Sequence, residues 1–206
     1  VMECIGHAFY LDIEHSAVMV SALSIYKAWL FDEIRPGPIA KDENRFFQDM
    51  FKHMSLLFSP RRSLGAGQSA LDRHVGLCKK ALHIFLSVAR SGLHTRLSQQ
   101  CWEVLLRVVL GITHNLLKGP VSGITLGNVL ERDLLKTLFD LWLRSGTTNP
   151  GLWKVLSRFV RQWLHRRWVL YHWKLCCAAL SQRVLRVLHD PLWRSPSSPP
   201  AEALSV

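Results

Sequence analysis

Apolar residues recur three and four positions apart from Phe46 to His189, and short groups of Gly, Pro and Ser interrupt the pattern. Such steps bring side chains onto one face of an α-helix, so the chain is expected to form a succession of amphipathic helices. The clearest stripe is Leu97, Cys101, Val104, Leu105, Val108, Ile112 and Leu116. No alternating run of comparable length, the mark of a half-buried strand, accompanies it. The fold class this pattern predicts is all-α.

The punctuation divides the chain into segments. Val1 to Leu11 reads as the end of a helix, and Asp12 or Ser16 is suited to cap the next, whose buried stripe would be Val18, Ala22, Ile25, Tyr26, Trp29 and Leu30. Arg35-Pro36-Gly37-Pro38 should stop that helix, because proline lacks the amide hydrogen and disfavours helical geometry before it. Asp42 and Glu43 favour a helix start, with Phe46, Phe47, Met50, Phe51, Met54 and Leu57 turned inward and Pro60 at the end. Residues 61–69 read as a Gly- and Ser-containing loop. A helix over about 70–89 should bury Val75, Cys78, Ala81, Leu82, Phe85 and Leu86. The Leu97 stripe ends at Gly119-Pro120, a glycine-then-proline stop.

Beyond it, a helix over about 126–143 turns Leu130, Leu134, Leu138, Leu141 and Trp142 inward. Pro150 is placed to open a helix carrying Trp153, Leu156, Phe159, Val160 and Trp163. The last helix carries Leu170, Trp173, Cys176, Cys177, Leu180, Val184 and Leu188 as its apolar stripe. Two regions result: a helical scaffold over 1–190, and a Ser/Pro-rich tail over 191–206 of a composition that stays disordered. Long helices joined by short turns pack as antiparallel neighbours. No strict repeat is visible, so a degenerate HEAT-like solenoid of stacked antiparallel helix pairs is preferred to a regular array, with a compact bundle as the alternative.

With 49% hydrophobic residues, a chain of 206 residues can bury a substantial core. Its first residue, Val1, is not an initiator methionine and already lies in a helical pattern, which suggests a piece of something longer. A secretory signal is a poor fit, because Glu3 and His7 interrupt the start. No apolar run approaches the ~18–20 residues of a membrane span. The five cysteines show no framework spacing, which argues for a reducing compartment and a cytoplasmic location.

The net charge of +11 is unevenly spread. Between Asp140 and Asp190 there is no acidic residue, whereas Arg144, Lys154, Arg158, Arg161, Arg166, Arg167, Lys174, Arg183 and Arg186 all fall there. Lys154, Arg158 and Arg161 share one helical face by their spacing, with Trp153, Trp163, Trp168 and Trp173 among them. The candidate interaction face is therefore Lys154, Arg158, Arg161, Arg166, Arg167, Lys174, Arg183 and Arg186. Such a face can hold nucleic acid by phosphate contact and stacking, an anionic membrane, or an acidic protein. The preferred reading is plainer: tryptophans in the core and arginines in water, since the tryptophans recur at helical spacing with Leu and Phe. No nucleic-acid-binding motif is present, which weighs against that partner; an anionic membrane stays open.

Catalytic and metal-binding patterns do not emerge. The ten histidines form no HExxH, and the pairs His7/His15, His83/His94 and His165/His172 are not four residues apart. Adjacent Cys176 and Cys177 point about 100° apart on a helix and ligate together poorly. The glycines near Ser63 and Ser122 follow no strand, so neither loop matches a phosphate cradle. Cys101 could pair with a distant histidine as a nucleophile, but its place on an apolar stripe favours packing. No catalytic, cofactor-binding or metal-binding residue is assigned, and no cofactor is expected.

Several segments carry a family resemblance. They are Lys52-His53-Met54-Ser55-Leu56-Leu57-Phe58 running into Pro60-Arg61, Leu77-Cys78-Lys79-Lys80-Ala81-Leu82-His83-Ile84-Phe85-Leu86, Trp102-Glu103-Val104-Leu105-Leu106, and Leu138-Phe139 to Trp142-Leu143. Over most of residues 1–190 the chain resembles the N-terminal helical part of the beta subunits of Ral GTPase-activating complexes. The resemblance implies a non-catalytic scaffold that pairs with a catalytic alpha subunit, which supplies the asparagine that promotes GTP hydrolysis, and so acts indirectly on Ral GTPases. It carries no catalytic residue onto this chain, which lacks the C-terminal GAP-like domain of that family. The Ser/Pro tail departs from the family pattern and suggests truncation or a misassigned exon end. Because a solenoid needs capped ends, the chain alone is expected to fall below the ~5–15 kcal/mol stability of ordinary domains.

Overall fold

The computed structural model describes residues 2–32, 35–61, 68–91 and 97–189. Among these every regular element is helical: α1 (Met2–His7), α2 (Ser16–Phe31), α3 (Gly37–Lys41), α4 (Glu43–Ser55), α5 (Gln68–Arg90), α6 (Gln99–Leu117), α7 (Leu126–Ser145), α8 (Pro150–Gln162) and α9 (Arg167–His189). Short 3-10 turns at Ala8–Tyr10, Ile13–His15 and Leu56–Phe58 bend the chain between them. The chain is all-α. Of the loop expected over 61–69, residues 62–67 lie outside the described residues and Gln68 and Ser69 already open α5; the tail over 191–206 lies wholly outside them.

Local chemistry sets most boundaries. The Ser98 hydroxyl accepts from the Cys101 amide at 3.2 Å and the Thr125 hydroxyl from the Asn128 amide at 3.2 Å, so each occupies one of the unpaired donors at a helix start. Gly146 ends α7 with φ +58°, the left-handed conformation that glycine adopts without cost. One expectation fails at the N-terminal end and another is incomplete. His15, rather than Asp12 or Ser16, precedes α2, and it gives no side-chain cap. The Pro36-Gly37-Pro38 stop opens a helix of its own, α3, because proline fits a first helical turn as well as it ends the turn before.

The helices stack in two rows. α2, α5, α7 and α9 pack in succession, as do α4, α6 and α8, and α6 lies against α7 where the rows meet. α7 is the most enclosed helix: Leu130, Leu134, Leu135, Leu138 and Leu141 are fully buried, each contributing roughly 1.5–3 kcal/mol of transfer free energy. At its start, a Cβ on Gly127 would overlap the Leu116 carbonyl, so glycine lets α6 and α7 approach backbone to backbone. Asp140 receives Arg90 at 2.6 Å and Arg144 at 2.7 Å, tying α5 to α7. Burial acts to raise its pKa, yet the two arginines hold the carboxyl below its usual value.

Three stripes depart from the sequence pattern. In α6 Leu106, Val109, Leu110 and Leu117 are buried, whereas Val104, Val108 and Leu116, and Leu97 just before the helix, are half-buried. In α2 the buried residues are Met19, Ala22, Leu23, Tyr26 and Leu30, whereas Val18 and Ile25 are exposed. Apolar residues occupy both sides of this helix, so spacing alone left its rotation undetermined. In α9 only Val169 and His172 are buried; Leu170, Trp173, Cys177, Leu180, Val184 and Leu188 of the expected stripe are exposed, and Cys176 is half-buried. Packing on α7 covers one side of the first turns of α9, and every residue from 177 to 189 is exposed.

Candidate functional site

The basic segment begins where Asn149 caps α8. Its Oδ1 accepts from the Gly151 amide at 2.9 Å, and Pro150 stands at the first helical position as its spacing predicts. The Trp153 indole N–H donates to the Thr147 carbonyl at 2.8 Å and fixes the rotation of the helix. Leu152 and Leu156 then point inward, while Lys154, Arg158 and Arg161 point to solvent. With Trp153, Ser157 and Gln162 these three line one shallow depression of about 650 Å³. The spacing of three and four has brought them together.

Arg166 belongs elsewhere, and the expectation that it joins the basic face is corrected. Its side chain is completely enclosed. The guanidinium donates to the carbonyls of Leu117 at 2.9 Å and Gly119 at 2.8 Å, to Asn128 Oδ1 at 3.0 Å and to Glu131 Oε2 at 3.0 Å. The C-terminal end of α6 leaves carbonyls without helical partners, and a planar fork of donors can satisfy several at once. Arg166 therefore locks the α8–α9 turn to α6 and α7.

The remaining candidates spread over α9. Arg167 is exposed and lies over the Trp168 ring at 5.3 Å, while Arg132 approaches the same ring at 5.1 Å. Lys174, Arg183 and Arg186 are exposed. At 100° per residue, Lys174 and Arg183 fall on opposite sides of the helix, so α9 extends no single basic face from α8. The tryptophans also divide: Trp142 and Trp163 are buried, whereas Trp153 and Trp173 are 40% and 46% exposed.

Histidines seat both helices. His114 of α6 stacks on Phe159 of α8 with centroids 4.0 Å apart, and His172 of α9 lies 6.5 Å from Phe139 of α7. Burial lowers both pKa values, Lys118 adding to the effect at His114 and Arg132 and Lys136 at His172. Cys101 packs inside α6, where burial pushes its thiol up to about 12 and keeps it protonated at neutral pH.

Between α8 and α9 runs an apolar groove of about 230 Å³, lined by Trp153, Leu156, Val160, Val169, Leu170 and Trp173. Sequence spacing places Trp153, Leu156 and Val160 on one helix stripe and Leu170 and Trp173 on another, and does not reveal that the two stripes meet. The available signal was an apolar stripe on the last helix of a segment that contains no acidic residue.

The profile of the RALGAPB N-terminal domain family matches residues 70–191. The chain is 30% identical over 199 residues to Ral GTPase-activating protein subunit beta of Homo sapiens, covering 92% of this chain and 13% of that relative. It is 34% identical over 120 residues to a Rap-GAP domain-containing protein of Dictyostelium discoideum, covering 58% of this chain and 7% of that one. To Ral GTPase-activating protein subunit alpha-1 of Homo sapiens it is 23% identical over 135 residues, 60% of this chain and 6% of that one. No solved structure matches.

Proposed function

The chain belongs to the RALGAPB N-terminal domain family, and from that premise we propose that it is a non-catalytic scaffold in a heterodimeric GTPase-activating complex acting on Ral GTPases. The observation that carries this reading is the family match over residues 70–191, which takes in α5 to α9. The partner is a catalytic alpha subunit, on which the catalytic asparagine lies, and the setting is cytoplasmic. The two rows of stacked helices suit a HEAT-like solenoid, an architecture that offers extended surfaces rather than an enclosed pocket. The chemistry of the interior supports the same role. The buried Arg166–Glu131 pair and the more exposed Arg90–Asp140 pair both join one helix to another.

Co-expression with a tagged alpha subunit tests the proposal. The chain is expected to co-purify with the alpha subunit and, added alone to GTP-loaded Ral, to leave hydrolysis at its intrinsic rate. Failure to co-purify, or acceleration by the chain alone, contradicts it.

A second reading treats Lys154, Arg158 and Arg161 as a site for nucleic acid or an anionic membrane, on the strength of their shared exposed face beside Trp153. It predicts binding to labelled RNA or to acidic vesicles that weakens steeply with salt. Binding indifferent to Arg158→Glu and Arg161→Glu rules it out.

A further inference from the structure

Six exposed residues on α9 recur at alternating steps of three and four: Leu170, Trp173, Cys177, Leu180, Val184 and Val187. That is the spacing of a coiled-coil seam, a repeat of seven held over almost the whole helix. All six face solvent, although the apolar stripe Leu130, Leu134, Leu138 and Leu141 on α7 is buried. The upper part of the seam does not stand alone. Leu170 and Trp173 form one wall of the α8–α9 groove, Trp153 and Val160 form the other, and Leu156, only 2% exposed, lies at its floor.

The charges around the groove are of one sign. Arg161 lines it on the α8 side, Lys174 follows Trp173 on α9, and residues 141–189 contain no carboxylate. Some exposed cations elsewhere are paired, as in Lys52–Asp49, Lys79–Asp133 and Arg107–Glu103. Lys154, Arg158, Arg161 and Lys174 form no ion pair among the described residues.

We propose that the α8–α9 groove and the seam of α9 dock one amphipathic helix of a protein partner, with apolar residues at heptad spacing and acidic residues on their flanks. The occupant follows from shape and charge together. A helical ridge reaches the concave floor at Leu156, whereas a flat lipid leaflet spans the groove without filling it. A second copy meeting through the same face would set Arg161 and Lys174 against like charges, which disfavours that pairing. An acidic helix places carboxylates beside those cations, and complementary rims of this kind set partner choice. The inference stands whether or not the partner belongs to a GTPase-activating complex.

The test uses the whole chain and two fluorescent helical peptides of about three heptads, both with Leu at the seam positions, one flanked by Glu and the other by Lys. Anisotropy is expected to show saturable binding of the Glu peptide, at least about tenfold tighter than its Lys twin and weakened by salt. Leu170→Glu with Leu180→Glu should remove binding. Arg161→Glu with Lys174→Glu should weaken the Glu peptide about tenfold and favour the Lys twin. Both pairs alter exposed positions, and circular dichroism checks that helicity is kept. The proposal is overturned if the Glu peptide does not bind, if both peptides bind alike, or if neither pair of substitutions changes binding. It is equally overturned if phosphatidylcholine–phosphatidylserine vesicles, or self-association of the chain, prove to be what occupies the face.

Discussion

α7 and α9 are similar in length and in the spacing of their apolar residues, yet they end in opposite situations. α7 lies between α5 and α9 with α6 against it, and buries Leu130, Leu134, Leu135, Leu138, Phe139, Leu141 and Trp142. Among the described residues α9 packs chiefly on α7, and it buries only Val169 and His172. The charges differ in the same sense. Asp133 and Asp140 of α7 meet Lys79, Arg90 and Arg144, while the cations of α8 and α9 lie in a segment without carboxylates. Amphipathic spacing records that a helix has a face to cover. It does not record whether this chain supplies the cover.

The largest effect should come from the residue that joins the two regions. Arg166→Ala leaves Glu131 buried without its cation and frees the carbonyls of Leu117 and Gly119, a loss of about 3–5 kcal/mol in urea unfolding. A change under about 1 kcal/mol would return Arg166 to the ranks of the solvated arginines. Next in size is Leu138→Ala within α7, where truncation of a fully buried leucine costs about 2–5 kcal/mol.

Acid should separate the regions further. Burial holds the pKa values of His74, His114 and His172 below the ordinary histidine value in the folded chain. The unfolded chain takes up these protons near pH ~6.5, before the folded one does, so stability is complete above that pH and declines below it. Urea midpoints at pH 7.5, 6.5 and 5.5 should fall in that order. His114→Gln with His172→Gln should flatten the decline by removing two of the three groups whose proton uptake drives it. The smallest effect belongs to Leu180→Ala, which removes an exposed side chain and should change stability by no more than about 0.5 kcal/mol. Together with Leu138→Ala it compares the same substitution on two stripes of like pattern.

How far the sequence foretold this arrangement varies from helix to helix. Leu130, Leu134, Leu138, Leu141 and Trp142 were readable as the inner face of α7, because they recur at steps that share one helical face, while the likewise buried Leu135 and Phe139 beside them were not singled out. α2 was readable as a helix but not in its rotation, since Val18 and Ile25 compete with Met19 and Leu23 on a helix with little polar face. On the candidate face, Lys154, Arg158 and Arg161 cluster as their spacing requires, because a single helix sets their positions. Arg166 could not be placed in this way. Its environment is made of two backbone carbonyls at the end of α6 and side chains about 35 residues away, none of which local spacing reveals. The α8–α9 groove depends likewise on how two helices meet at the turn held by Arg166.

Amide hydrogen exchange on the 206-residue chain tests the contrast between the enclosed and the uncovered helix most directly. Amides over 130–142 of α7 should exchange near the rate of global unfolding, and those over 177–189 of α9 orders of magnitude faster, with protection of α9 rising once an acidic amphipathic helix is bound. Equal protection of the two helices in the chain alone would mean that the face of α9 is already covered, and would contradict the account.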